Sequence, residues 1–81
     1  MALLKSPKTE IDLFVIAKVK EMRTEQGWSQ AALAGRINVS ATFIGNAENP
    51  KLADKYNLTH INKFARIFDC SPKDFLPQKA L

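Results

Sequence analysis

The octapeptide ATFIGNAE, residues 41 to 48, gathers hydroxyl, amide and very small side chains at spacings that a helix would align. At about 100° per residue, Ala41, Thr42, Gly45 and Asn46 fall within an arc of about 140°, while Phe43, Ile44 and Ala47 fill the opposite arc. The first set has the chemistry of base-edge recognition. An Asn amide pairs bidentately with adenine, a Thr hydroxyl bonds either base edge, and Ala or the Thr methyl touches the thymine methyl. Lack of bulk on that arc lets the helix backbone approach a partner closely, and the B-DNA major groove, about 12 Å wide, admits one α-helix. Gly45 strengthens the reading, because Gly inside a helix costs about 1 kcal/mol relative to Ala and so asks for a compensating close contact. A protein surface would satisfy that demand as well as DNA.

The elements that must position this face are helical throughout. Ile11, Val15, Val19 and Met22 recur at helical spacing, with Phe14 and Ile16 widening the stripe. Thr9 with Asp12 three residues on is an N-terminal signal, and Gly27 a C-terminal one. Ser29 caps a second helix carrying Leu33 and Ile37, and Trp28 is placed to staple onto it. Asn38 is the non-Gly residue most tolerant of the left-handed stop. Ser40 then caps the third helix, which must end before Pro50. NPKLADKYN, residues 49 to 57, has no clear period and reads as a loop. Asn57 or Thr59 caps a fourth helix with Leu58, Ile61, Ala65 and Phe68 on one stripe, and SPKDFLP predicts a short fifth helix reaching about Leu76. The sequence therefore predicts an all-α fold of five helices over residues 9–77. Residues 1–8, which carry Lys5 and Lys8, and residues 78–81 read as loose ends.

Composition bounds the rest. Eighty-one residues fill one core, and the excess of 12 Lys+Arg over 8 Asp+Glu favours an anionic partner. One Cys excludes an internal disulfide, leaving Cys70 as a small core residue. No window approaches the ~18 to 20 apolar residues of a membrane span, and MALLKSPK lacks the run and cleavage site of a signal peptide, so the expected location is cytoplasmic. His60 is the sole histidine, expected to face solvent in the first turn of its helix. With no metal-ligand spacing, paired-carboxylate signature or phosphate-binding Gly loop, neither enzyme activity nor a cofactor is expected.

SQAALAGRINVSATFIGNAE, residues 29 to 48, resembles the helix-turn-helix of the phage-repressor and Cro-like (XRE-type) regulators. Ser29, Gln30, Leu33, Ala34, Ser40, Ile44 and Glu48 match that pattern in order and spacing. FARIFDCSPKDFL resembles the family's fourth and fifth helices, so the likeness runs from about residue 14 to 76. It implies a lambda-repressor-like domain with helices 2 and 3 as the helix-turn-helix, and a transcription regulator that binds double-stranded operator DNA, generally as a homodimer. It further implies that Ser40, Ala41, Thr42, Gly45 and Asn46 face bases or nearby phosphates. Gln30 matches the family's phosphate-contacting Gln, while Asn49, Lys51 and Lys55 follow where further backbone contacts lie. Arg23 resembles the family's partner for the closing Glu, which implies an Arg23–Glu48 ion pair tying helix 1 to the recognition helix. The chain departs from the pattern at Asn38, where Gly is usual, and after Glu48, where NPK and a longer loop replace an early Gly. An antitoxin-like or anti-repressor-like module using the same face on a protein is the alternative.

Overall fold

Thr9 starts the first helix by a reciprocal capping box. Its hydroxyl accepts from the Asp12 N–H while the Asp12 carboxylate accepts from the Thr9 N–H. Helix α1 then runs Glu10–Glu25. Gly27, at φ +73°, turns the chain left-handed, and the N–H groups of Gly27 and Trp28 close the helix end on Thr24 and Arg23 carbonyls. The structure, a computed structural model, describes residues 6–81 and contains no strand among them.

Helix α2 spans Gln30–Ile37 behind the Ser29 cap and stops at Asn38, whose φ of 62° is the left-handed conformation. Helix α3, Ala41–Glu48, follows from the Ser40 cap. Helix α4, Leu58–Phe68, begins at Asn57 and ends at Asp69, a second non-Gly residue in the left-handed region. The predicted fifth helix is instead a 3-10 turn, Pro72–Phe75. Ser71, Pro72 and Asp74 act at its start as their pattern implies, but Leu76 precedes Pro77 and is extended. Its N–H reaches only Lys73, three residues back, so no α-helical turn closes. Among the described residues there are thus four α-helices, not five.

The core is a single cluster in which Val19, Leu33, Ile44, Phe64 and Phe75 are fully buried. Each such side chain contributes about 1.5–3 kcal/mol of hydrophobic stabilisation. The Trp28 ring stacks on Phe68 at 5.3 Å while the Arg36 guanidinium lies 4.1 Å over it, joining α2 to α4. Ile11, by contrast, lies 45% exposed and Phe14 40%. The first turn of α1 overhangs the core, and Ile11 lines an open apolar groove with Leu58 and Leu76.

Candidate nucleic-acid interface

Helices α2 and α3 make the most extensive helix pairing in the molecule, and the α2–α3 corner is fixed from both sides. The left-handed Asn38 sets the turn, and the Ser40 hydroxyl accepts from the Phe43 N–H to begin α3 in a defined direction. Ile44 and Ala47 are buried beneath α3, with Phe43 half-buried against Tyr56 and His60. Ser40, Ala41 and Thr42 are exposed, and Gly45 and Asn46 are half-buried on the outward side. The structure therefore brings these five residues together on one surface of α3.

Beneath that surface lies a charged junction. Arg23 Nε donates to Glu48 Oε2 at 2.9 Å, and its Nη2 donates to Oε1 at 2.8 Å, the bidentate fork that suits a carboxylate. Arg23 Nη1 also donates to the Trp28 carbonyl at 2.8 Å. The two side chains are only 10% and 4% exposed. Gln30 completes the junction, its Nε2 donating to Glu48 Oε1 at 3.0 Å. One carboxylate at the end of α3 is thereby tied to the end of α1 and the start of α2.

The same geometry gives Gly45 a reason the sequence does not show. A Cβ on Gly45 would stand 3.1 Å from Gln30 Oε1, tighter than ordinary van der Waals contact. The missing side chain admits the Gln30 amide onto α3, so the close approach is at least partly internal. Gln30 is half-buried with its amide nitrogen engaged. What it offers an anion is its place in the first turn of α2, where helix N–H groups point outward.

At the other end of α3, Asn49 is the C-cap and lies exposed; its Oδ1 accepts from the Lys51 N–H in a local turn. Lys51 is exposed. Lys55 is also exposed, but its ammonium sits 3.5 Å from Asp12 Oδ2 and so faces the first turn of α1.

Two placements depart from the sequence reading, and a third adds to it. Lys8, assigned there to a loose leading segment, is only 5% exposed, and its ammonium donates to the Asn46 and Asn49 carbonyls at 3.2 and 2.6 Å. Lys5 lies outside the described residues. Tyr56 lies in the loop, as read, but is also a core residue, packed edge-on against Phe64 at 4.8 Å. Burial, and secondarily the Glu48 carboxylate, push its phenol far above the ordinary tyrosine range. His60 does not face solvent freely. Its Nδ1 accepts from the Asn57 N–H, and its ring lies 4.9 Å from that of Phe43. Burial, and then the nearby Lys63 ammonium, hold its pKa below the usual histidine value. An aromatic inside a polar loop, and a His three residues after an Asn cap, are the signals that find the last two.

A capped helix, a left-handed turn and a second helix with a small, polar outer face define a helix-turn-helix. The chain belongs to the Cro/C1-type helix-turn-helix DNA-binding domain family, whose model matches residues 18–77. Among solved structures it is similar to a hypothetical transcription factor, NHTF, from Neisseria (20% identity, TM-score 0.71, covering 84% of this chain and 76% of that one). It is also similar to the restriction-modification controller protein C.AhdI from Aeromonas hydrophila (25% identity, TM-score 0.67, covering 79% and 94%). The fold recurs in the hydroxypropylphosphonic acid epoxidase of S. wedmorenis (18% identity, TM-score 0.74), where 90% of this chain matches 38% of the enzyme's length. No curated protein matches the chain. Among the described residues no helix is long and apolar enough to cross a membrane, and no group of three His, Cys, Asp or Glu is placed to hold a metal ion.

Proposed function

We propose that this chain is a sequence-specific regulator of transcription that lays α3 in the major groove of double-stranded DNA. The observation that carries the reading is the outward face of α3: Ala41, Thr42, Gly45 and Asn46 stand together while the opposite face is locked into the core. Thr42 and Asn46 supply the hydrogen bonds of direct readout, and Ala41 an apolar contact. Ser40, the start of α2 at Gln30, Asn49 and Lys51 meet phosphates on either side, with Lys55 at the margin. So few readers cover only about three or four base pairs, too short a site to be found in a genome. A homodimer on two-fold related half-sites, about one helical turn apart, would double it. The likeness to a controller protein supports the regulatory part of the reading.

No catalytic role enters. The His60 Nδ1 lone pair is used in its helix cap, and burial, with Asp74 and Asp69 nearby, pushes the Cys70 thiol up, away from thiolate chemistry.

The test is fluorescence anisotropy of a labelled duplex at low and moderate salt, comparing wild type with Asn46→Ala and Lys51→Ala. Binding that falls steeply with salt and is weakened by both substitutions supports the reading. Failure of wild type to bind any duplex at low salt would overturn it and assign the α3 face to a protein partner.

A further inference from the structure

Helix α3 has an electrostatic defect at its C-terminus. Its last turn contains no basic residue and ends on the acid Glu48, so nothing in the helix itself offsets the negative end of the dipole. The cation arrives from elsewhere. Lys8, just ahead of α1, reaches over to α3 and places its ammonium on the carbonyls of Asn46, within the last turn, and Asn49, the cap. The segment is pinned by Ser6, whose Oγ donates to the Pro50 carbonyl and accepts from the Lys8 N–H. Asp54 and Asp12 lie near the ammonium and favour its charge against the cost of burial.

Asn46 and Asn49 are the two residues through which the α3 C-terminus would touch a base and a phosphate. Their backbone is held by a side chain that is itself buried and so makes no contact with DNA. We propose that Lys8 is a positioning residue of the interface, clamping the end of the recognition helix and the following loop so that Asn46 and Asn49 meet DNA in register. The proposal rests on the reading of α3 as a DNA-recognition helix. It distinguishes Lys8 from a basic arm, which would track phosphates directly.

The experiment compares wild type, Lys8→Met and Lys51→Met on two labelled duplexes, one enriched from a random-sequence pool by the wild-type chain and one scrambled version of it. Lys8→Met should lower affinity for the enriched duplex about tenfold, as expected for loss of a partly buried charge at a helix end. Binding to the scrambled duplex, and the dependence on salt, should stay as in wild type. Lys51→Met should instead weaken both duplexes alike and reduce the salt slope by about 1. Ser6→Ala loosens the clamp while keeping the charge, and should give the same loss of preference at smaller size; it carries the test if Lys8→Met does not fold. A salt slope reduced in Lys8→Met as in Lys51→Met would overturn the proposal in favour of a phosphate-tracking arm. An unchanged preference in both strap variants would overturn it in favour of a purely structural lysine. Wild type that binds no duplex, or enriches no sequence, would overturn the DNA reading itself and this proposal with it.

Discussion

Replacing Arg23 with Met should strongly destabilise the domain by undoing the junction that ties α1 to the helix-turn-helix. The guanidinium makes two bonds to Glu48 and one to the Trp28 carbonyl, and the carboxylate it leaves behind is 4% exposed. Among the described residues Glu48 would keep only the Gln30 amide as a partner. Stranding one charge of a buried pair costs about 3–5 kcal/mol. At 81 residues the whole domain is stable by about 4–12 kcal/mol on typical per-residue values, so the loss is a large share of the total. Each kcal/mol lowers the melting temperature of a domain this size by about 4–8 °C, which puts the shift at about 12 °C or more. The double variant Arg23→Met/Glu48→Met removes both charges and leaves only the Gln30 amide and the Trp28 carbonyl short of a partner. It should lose about 1–2 kcal/mol, less than the single variant. Urea unfolding followed by the fluorescence of Trp28, the only tryptophan, reads all three chains. A single-variant loss below about 1 kcal/mol, the size of an exposed pair, would refute the claim that this junction holds α3 in place.

Three further outcomes follow from the same contacts. His60 accepts a hydrogen bond as neutral imidazole and its folded pKa is depressed, so the unfolded chain takes up the proton first. Stability should therefore be full above the unfolded value of 6.5 and fall as pH drops through and below it; urea midpoints at pH 7.5 and 5.5 check this, and His60→Asn should lose that component. Tyr56→Phe should be neutral or stabilising by up to about 1 kcal/mol in the same urea assay, because the buried Tyr56 hydroxyl has no partner among the described residues. Gly45→Ala should leave stability unchanged or raise it by about 0.5 kcal/mol: helix propensity favours Ala by about 1 kcal/mol, against a few tenths of an ångström of movement by the Gln30 amide. A loss above about 1 kcal/mol on Gly45→Ala would show that amide to be rigidly held.

What could be read from the sequence was whatever a few neighbouring residues decide. The caps at Thr9, Ser29 and Ser40 and the stops at Gly27 and Asn38 are local hydrogen-bond devices, and each acts where its pattern placed it. The fifth helix went wrong within the same logic, because Pro77 leaves room for a cap but not for an α-helical turn. Ile11 fits the periodic stripe of α1, yet periodicity does not say where the partner surface ends. Lys8 was illegible for a different reason. A lysine ahead of the first helical pattern reads as a solvated charge, and only the folded chain brings it to carbonyls 38 and 41 residues away. Tyr56 and His60 likewise take their roles from Phe43 and Phe64, on other elements or farther along the chain.

Helix α3 shows why those distant contacts matter. Eight residues are too few for an isolated helix to persist in water, so α3 exists by virtue of what holds it. Its sequence works against it at one end: an interior Gly, a terminal Glu, and no base in the last turn. The molecule offsets each from outside, with Gln30 laid against Gly45, Arg23 on Glu48, and Lys8 on the last carbonyls. Arg23 and Lys8 also suppress the negative charge that α3 would otherwise carry toward a phosphate backbone. Neither cation is free to bind phosphate itself. The outer face can therefore stay small and weakly polar, with its orientation set from beneath; in the proposed function the base contacts then fall to Thr42 and Asn46.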